Sequence, residues 1–119
     1  MKRNISTRCI HLDKKGDGTD HYGSISYPIY QTVTYTHPSV GHNTGYDYSR
    51  LQNPTRAHLE EIVASLEGGI DALAFSSGMA AIATLMELFK PGDHLIVDSD
   101  LYGGSIRLFD HISKKNGIS

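Results

Sequence analysis

The apolar positions of this chain change rhythm partway along it. Residues 1–23 are polar, and Lys14-Lys15-Gly16-Asp17-Gly18 marks a flexible turn or loop. In "ISYPIYQTVTYT", residues 25–36, the side chains Ile25, Tyr27, Ile29, Val33 and Tyr35 share one parity. Such alternation predicts an extended segment. Pro28 has no N–H to give a sheet ladder, which makes the segment an edge or an arm. Residues 37–53, "HPSVGHNTGYDYSRLQN", follow neither period and read as a long loop, a kind of segment that is usually functional or disordered.

From Asn53 the pattern becomes regular. Asn53 suits a helix N-cap, Pro54 suits the first helical position, and Leu59, Ile62, Val63 and Leu66 repeat with helical spacing. Gly68-Gly69 supplies the stop. "IDALAF", residues 70–75, reads as a short buried strand, and "GMAAIATLMELF" as a helix of small and apolar residues. Pro91-Gly92-Asp93 ends that helix and leads into a second apolar strand, "HLIVD", residues 94–98. A polar loop, "SDLYGGS", then opens a helix over about 105–115 that turns Leu108, Phe109 and Ile112 inward, with Lys114, Lys115 and Gly117 at its C-terminus. "KKNGIS" reads as that helix end followed by the start of a further strand.

Helix, strand, helix, strand, helix is the order of an α/β layer on a parallel sheet. Two strands cannot make such a sheet, which needs both faces covered. The expectation is the front part of a larger α/β domain: residues 1–53 an arm and loop, residues 54–119 the first part of the domain proper.

Composition narrows the function classes. Of 119 residues, 39% are hydrophobic and 20% charged, as in ordinary globular proteins. A formal charge of -2 provides no basic field for nucleic acid or an anionic membrane surface. A single cysteine, Cys9, excludes an intrachain disulfide framework and suits a reducing compartment. No apolar run follows the basic start "MKRNISTR", and none is long enough to span a bilayer. The expectation is a soluble cytoplasmic protein, with no metal site assigned.

Three constellations carry chemistry. The first is "AFSSGMAA", where Ser76, Ser77 and Gly78 join a strand to a helix. The first N–H groups of a helix lack intrahelical partners and its dipole favours an anion, so the turn suits phosphate. A capped turn with small residues for tight packing would look the same. The run lacks both the Walker lysine pattern and GxGxxG, so a phosphate bound there belongs to something other than an ordinary nucleotide. The second is "YDYSRLQNPTR", where Arg50 offers a planar fork for phosphate close to Tyr48. The third is "LYGGS", which sets Tyr102 just past the second strand, where open α/β sheets hold ligands. A tyrosine there lies against a flat ring or moves a proton.

The ordered series "PIYQTVTY", "YDYSRLQNPTR", "LEGG", "SSGMAA", "KPGD" and "YGGSIRLFD" resembles the start of the cysteine and methionine metabolism (trans-sulfuration) family of pyridoxal-phosphate enzymes. The match runs from about Ser24 to Asp110. The resemblance implies an N-terminal arm and the beginning of a fold type I, aspartate-aminotransferase-like large domain. It implies pyridoxal 5'-phosphate as cofactor, with Gly78 and Met79 giving backbone N–H groups to its phosphate and Ser77 alongside. Tyr102 would stack on the pyridine ring and take part in proton transfer. Tyr48, Ser49 and Arg50 would serve the cofactor of an adjacent subunit, in a tetramer built from dimers. Asp47 and Arg107 match positions that face an amino-acid substrate. The resemblance also implies a lysine that anchors the cofactor, yet Lys2, Lys14, Lys15, Lys90, Lys114 and Lys115 all lie outside that context, so the chain alone is expected to be inactive. Gly103-Gly104 stands where methionine γ-lyases tend to carry a cysteine after the first glycine. That inclines the reading toward cystathionine γ-synthase or a cystathionine lyase, with the synthase first because "YGGS-x-RLFD" looks most like it. Methionine γ-lyase is a further alternative, and a non-catalytic truncated paralogue or a phosphate-ligand binding module are the alternatives of another class.

Overall fold

The computed structural model describes residues 4–11 and 22–119. The Lys14–Gly18 turn and the lysines Lys2, Lys14 and Lys15 lie outside them. The chain forms two compact units, Met1–Ala74 and Phe75–Ser119.

In the first unit, helix α1 (Ile5–Arg8) arises inside a stretch read as irregular. Its N-cap is Asn4, whose side chain accepts from the Ser6 N–H at 3.0 Å. Arg8 reaches from it to the Ser65 hydroxyl of α2 at 3.0 Å. Helix α2 (Pro54–Glu67) starts and stops as the sequence predicts: Asn53 caps it, Pro54 is its first residue, and Gly68 ends it at φ +70°. Side chains avoid that left-handed conformation, whereas glycine enters it without steric cost. Pro54 and Ala64 are buried. Ile62 and Leu66 are half-buried, but Leu59 and Val63 stand 52% and 41% exposed. Half of the expected apolar stripe is therefore only partly covered by the described residues.

The alternating segment at 25–36 forms no strand. It runs beside residues 47–49 through one antiparallel bridge, Thr34 to Tyr48. Tyr35 N–H donates to the Asp47 carbonyl at 3.1 Å, and Ser49 N–H to the Val33 carbonyl at 2.8 Å. The long loop between them is irregular, as expected, apart from a second bridge between Ser39 and His42.

In the second unit, α3 (Gly78–Met86) is shorter than the expected run to Phe89. Its last turn tightens, with Leu88 N–H reaching the Leu85 carbonyl and Phe89 N–H the Met86 carbonyl. The chain then reverses at Lys90-Pro91-Gly92-Asp93, closed by Asp93 N–H on the Lys90 carbonyl at 3.0 Å, with Gly92 at φ +96°. Proline then glycine at the two central positions is the signature of a type II turn. Helix α4 (Gly103–Leu108) continues into a π-helical turn, Phe109–Ser113. That change of pitch rotates the expected inward face: Leu108 and Phe109 are half-buried, but Ile112 is 50% exposed and Ser113 is buried in its place.

Neither predicted strand is realised as one. Residues 70–75 and 94–98 carry no ladder, and Ile70 and Ile96 are almost wholly exposed, at 106% and 85%. A strand is defined by its partner, and the described residues supply almost none. Only the chain end begins such pairing. Ser119 N–H donates to the Asp93 carbonyl at 3.1 Å and Leu95 N–H to the Ser119 carbonyl at 2.7 Å. Two bonds straddling one residue, His94, are how parallel neighbours pair, in keeping with the further strand expected after "KKNG". The buried apolar residues are few: Ala64, Met86 and Ile118 among those described.

Candidate functional site

The turn into α3 leaves backbone donors open at a helix start. Ser77 is extended at φ -158° and caps the helix, its hydroxyl oxygen accepting from Ala80 N–H at 3.1 Å. Its carbonyl accepts from Ala81 N–H at 3.1 Å. The next two donors, Gly78 and Met79 N–H, meet no acceptor among the described residues. A Cβ built on Gly78 would find nothing within 4 Å, so open space lies beside those amides. Ser77 keeps its hydroxyl proton to donate. Unclaimed donors at the positive end of a nine-residue helix fit a phosphate group.

Tyr102 is at the N-cap of α4 and 73% exposed. Its ring folds back over Gly104. A Cβ on Gly104 would lie 2.5 Å from Tyr102 Cε1, closer than atoms approach, and a tight 3.0 Å from Met79 Sδ. Buried Ser105 directs its hydroxyl at the same sulfur, 3.9 Å away. Met79, Tyr102, Gly104 and Ser105 thus form one cluster, which brings the aromatic ring to the residue whose N–H is free. Arg107, in the last turn of α4, is exposed, and its guanidinium has no partner among the described residues.

In the first unit, Arg50 is exposed and its guanidinium stacks 4.6 Å above the Tyr48 ring. Among the described residues it has no hydrogen-bond or ion-pair partner, so its donors are open. Ser49 differs. Its hydroxyl donates to the Thr32 carbonyl and accepts from Asn53 Nδ2 at 3.0 Å, and its N–H is taken by Val33. Ser49 braces the loop and has no proton left for a ligand. Asp47 Oδ1 is 2.9 Å from His37 Nε2. Sequence reasoning passed over His37 and Arg56, and read Gly103-Gly104 for substrate choice without assigning Gly104 a place under the Tyr102 ring. Those roles depend on neighbours that the fold brings in.

In the second unit, free N–H groups open a helix whose Met79 side chain lies near an aromatic ring, and in the first an arginine with open donors stacks on a tyrosine. Each arrangement by itself suits a phosphate-bearing ligand. The family described as Cys/Met metabolism PLP-dependent enzyme matches residues 6–119, and the chain belongs to it. A Bacillus subtilis (strain 168) protein named cystathionine gamma-synthase/O-acetylhomoserine (thiol)-lyase is 48% identical over 119 residues, 100% of this chain and 31% of that protein. A cystathionine beta-lyase of Coxiella burnetii is 50% identical over 119 residues, 99% of this chain and 30% of that protein. The crystal structure of metB from Corynebacterium glutamicum superposes with a TM-score of 0.86 at 42% identity, covering 98% of this chain and 30% of that one. This chain therefore spans about 30% of the length of these relatives. The expected fold class, an arm and the beginning of a fold type I α/β domain, agrees with that likeness.

Proposed function

We propose that this sequence is the N-terminal part of a pyridoxal-phosphate-dependent trans-sulfuration enzyme that eliminates or replaces a group at the β or γ carbon of a sulfur amino acid or its precursor. Cystathionine γ-synthase is the first reading. The observation that carries it is the free pair of N–H groups at Gly78 and Met79 beside the Tyr102 ring, in a chain of this family. The cofactor supplies an electron sink for carbon-centred anions. The chain's own residues bind and orient it.

Gly78 and Met79 N–H, with the Ser77 hydroxyl, hold the phosphate. The Tyr102 ring stacks on the pyridine face, and its Oη holds or moves a proton at the substrate amine. Tyr48 and Arg50 complete the phosphate site of a neighbouring subunit in a homo-oligomer built from dimers, and the reading places the enzyme in the cytoplasm. Asp47 and Arg107 face the substrate, the open guanidinium of Arg107 suiting a distal carboxylate. Among the described lysines, Lys90 lies in the type II turn, Lys114 pairs with Asp110 and Lys115 is exposed. With no lysine in the family's cofactor-anchoring context, we take the 119 residues alone to have no trans-sulfuration activity.

A cystathionine lyase is the second reading, favoured by the 50% identity to a protein of that name. Parallel assays of the enzyme containing this sequence separate the two. The synthase forms cystathionine from O-acetylhomoserine and cysteine faster than it breaks cystathionine down. Breakdown as the dominant activity refutes the first reading, and turnover by the 119-residue chain alone refutes the assignment of inactivity.

A further inference from the structure

The loop that presents Arg50 is held at Ser49 by residues 32–33 and, on both sides of Arg50, by the start of α2. Arg56, in the first turn of α2, sends Nη1 to the Ser49 carbonyl at 3.4 Å and Nη2 to the Leu51 carbonyl. These are the two carbonyls that flank Arg50. The fork is steadied from behind by Glu60, whose Oε1 is 3.7 Å from Arg56 Nε. Glu60 Oε1 also accepts from Ala74 N–H at 2.8 Å. The foot of the loop is tied to the same helix start. Asn53, the N-cap, gives Nδ2 to the Tyr30 carbonyl at 3.2 Å and to the Ser49 hydroxyl at 3.0 Å.

We propose that Arg56 is the positioning residue for Arg50, its fork fixing the carbonyls of the residues before and after it so that the Arg50 guanidinium stays over Tyr48 with its donors open. The inference rests on the reading of Arg50 as a phosphate ligand. A planar guanidinium reaches two carbonyls at once, whereas a lysine ammonium is a single point of charge on a flexible stem. The clamp also leaves Arg50 no need to satisfy its own loop. Two arginines six positions apart thus take opposite parts, one spent on backbone and one kept for the ligand.

The test is a double-mutant cycle on pyridoxal 5'-phosphate affinity in the enzyme containing this sequence, with hydrogen exchange of the Leu51 and Gln52 amides alongside. Those amides donate to the Tyr48 carbonyl at 2.9 Å each. Arg56→Gln is expected to weaken cofactor binding roughly tenfold, the loss of a charged group's hydrogen bonds, and to speed exchange at both amides. Arg56→Lys, which keeps the charge, is expected to recover less than half of the loss on a logarithmic scale. In an Arg50→Ala background, Arg56→Gln is expected to add nothing to the loss. Additive losses, or wild-type affinity in Arg56→Gln, overturn the proposal. If Arg50→Ala itself binds the cofactor normally, the phosphate reading of Arg50 fails instead. The clamp then stands if the two amides exchange faster in Arg56→Gln and falls if they do not.

Discussion

Gly104 provides the sharpest test of the site, because adding one carbon there acts on the ligand side while leaving the fold almost untouched. In Gly104→Ala the new Cβ would sit 2.5 Å from Tyr102 Cε1 and 3.0 Å from Met79 Sδ. Both atoms belong to side chains with room to move, and the Tyr102 ring is 73% exposed. The overlap is therefore relieved by swinging the ring outward, without the 1–3 kcal/mol that overpacking costs in a rigid core. Stability should change by less than about 0.5 kcal/mol, the range of surface substitutions. What is lost is the ring's place beside the α3 N-terminus. An aromatic pair contributes about 0.5–1.5 kcal/mol beyond its area, so the pyridoxal phosphate dissociation constant of the enzyme should rise about 2- to 12-fold. Equilibrium dialysis measures the affinity, and urea unfolding with the slope held constant measures the stability. On a Tyr102→Leu background, Gly104→Ala should have no further effect on affinity. Unchanged affinity in Gly104→Ala, or a loss that persists without the tyrosine ring, refutes the role given to this cluster.

Two other outcomes follow from the hydrogen bonds. Asn53→Ala removes the α2 cap, Oδ1 to Thr55 N–H at 2.9 Å, together with both Nδ2 bonds. A cap contributes about 1 kcal/mol and an ordinary hydrogen bond about as much, so urea unfolding should show a loss of about 2–3 kcal/mol, and a loss below about 0.5 kcal/mol would contradict the network. The Asp110 carboxyl is held below its ordinary value of 3.8, first by the hydrogen bond from Lys114, then by the Lys114 charge, with His111 adding to it. A carboxyl depressed on folding stabilises above its unfolded pKa of about 3.9, and that contribution is lost as pH falls through the lower folded value. Asp110→Asn should thus be less stable than the parent at pH 7, with the gap closing below about pH 4 and shrinking in 1 M salt. A gap that does not vary with pH would assign the effect to something other than this pair.

The parts of the fold legible beforehand were those decided within a few residues. Asn53, Pro54 and Gly68 bound α2 because a cap, a fixed φ and a left-handed stop are local matters. The start of α3 at Gly78 was legible for the same reason. The strands at 70–75 and 94–98 were legible only as apolar runs, since pairing needs a neighbour that no periodicity supplies. The inward face of the last helix was misread at Ile112 because a π-helical turn alters the pitch on which helical spacing depends.

The same division holds for the site. Residue types and their order along the chain were enough to select a phosphate-bearing cofactor, as the chemistry of free helix N–H groups, an arginine fork and an aromatic ring is carried by the residues themselves. Which of them remain open to a ligand was decided by tertiary structure alone. Ser49 and Arg56 are spent on carbonyls that folding brings beside them, Arg50 is left free above Tyr48, and Gly104 is small because a ring from its own helix start lies across it. A hydrogen bond is a property of two groups, and a sequence names only one of them at a time.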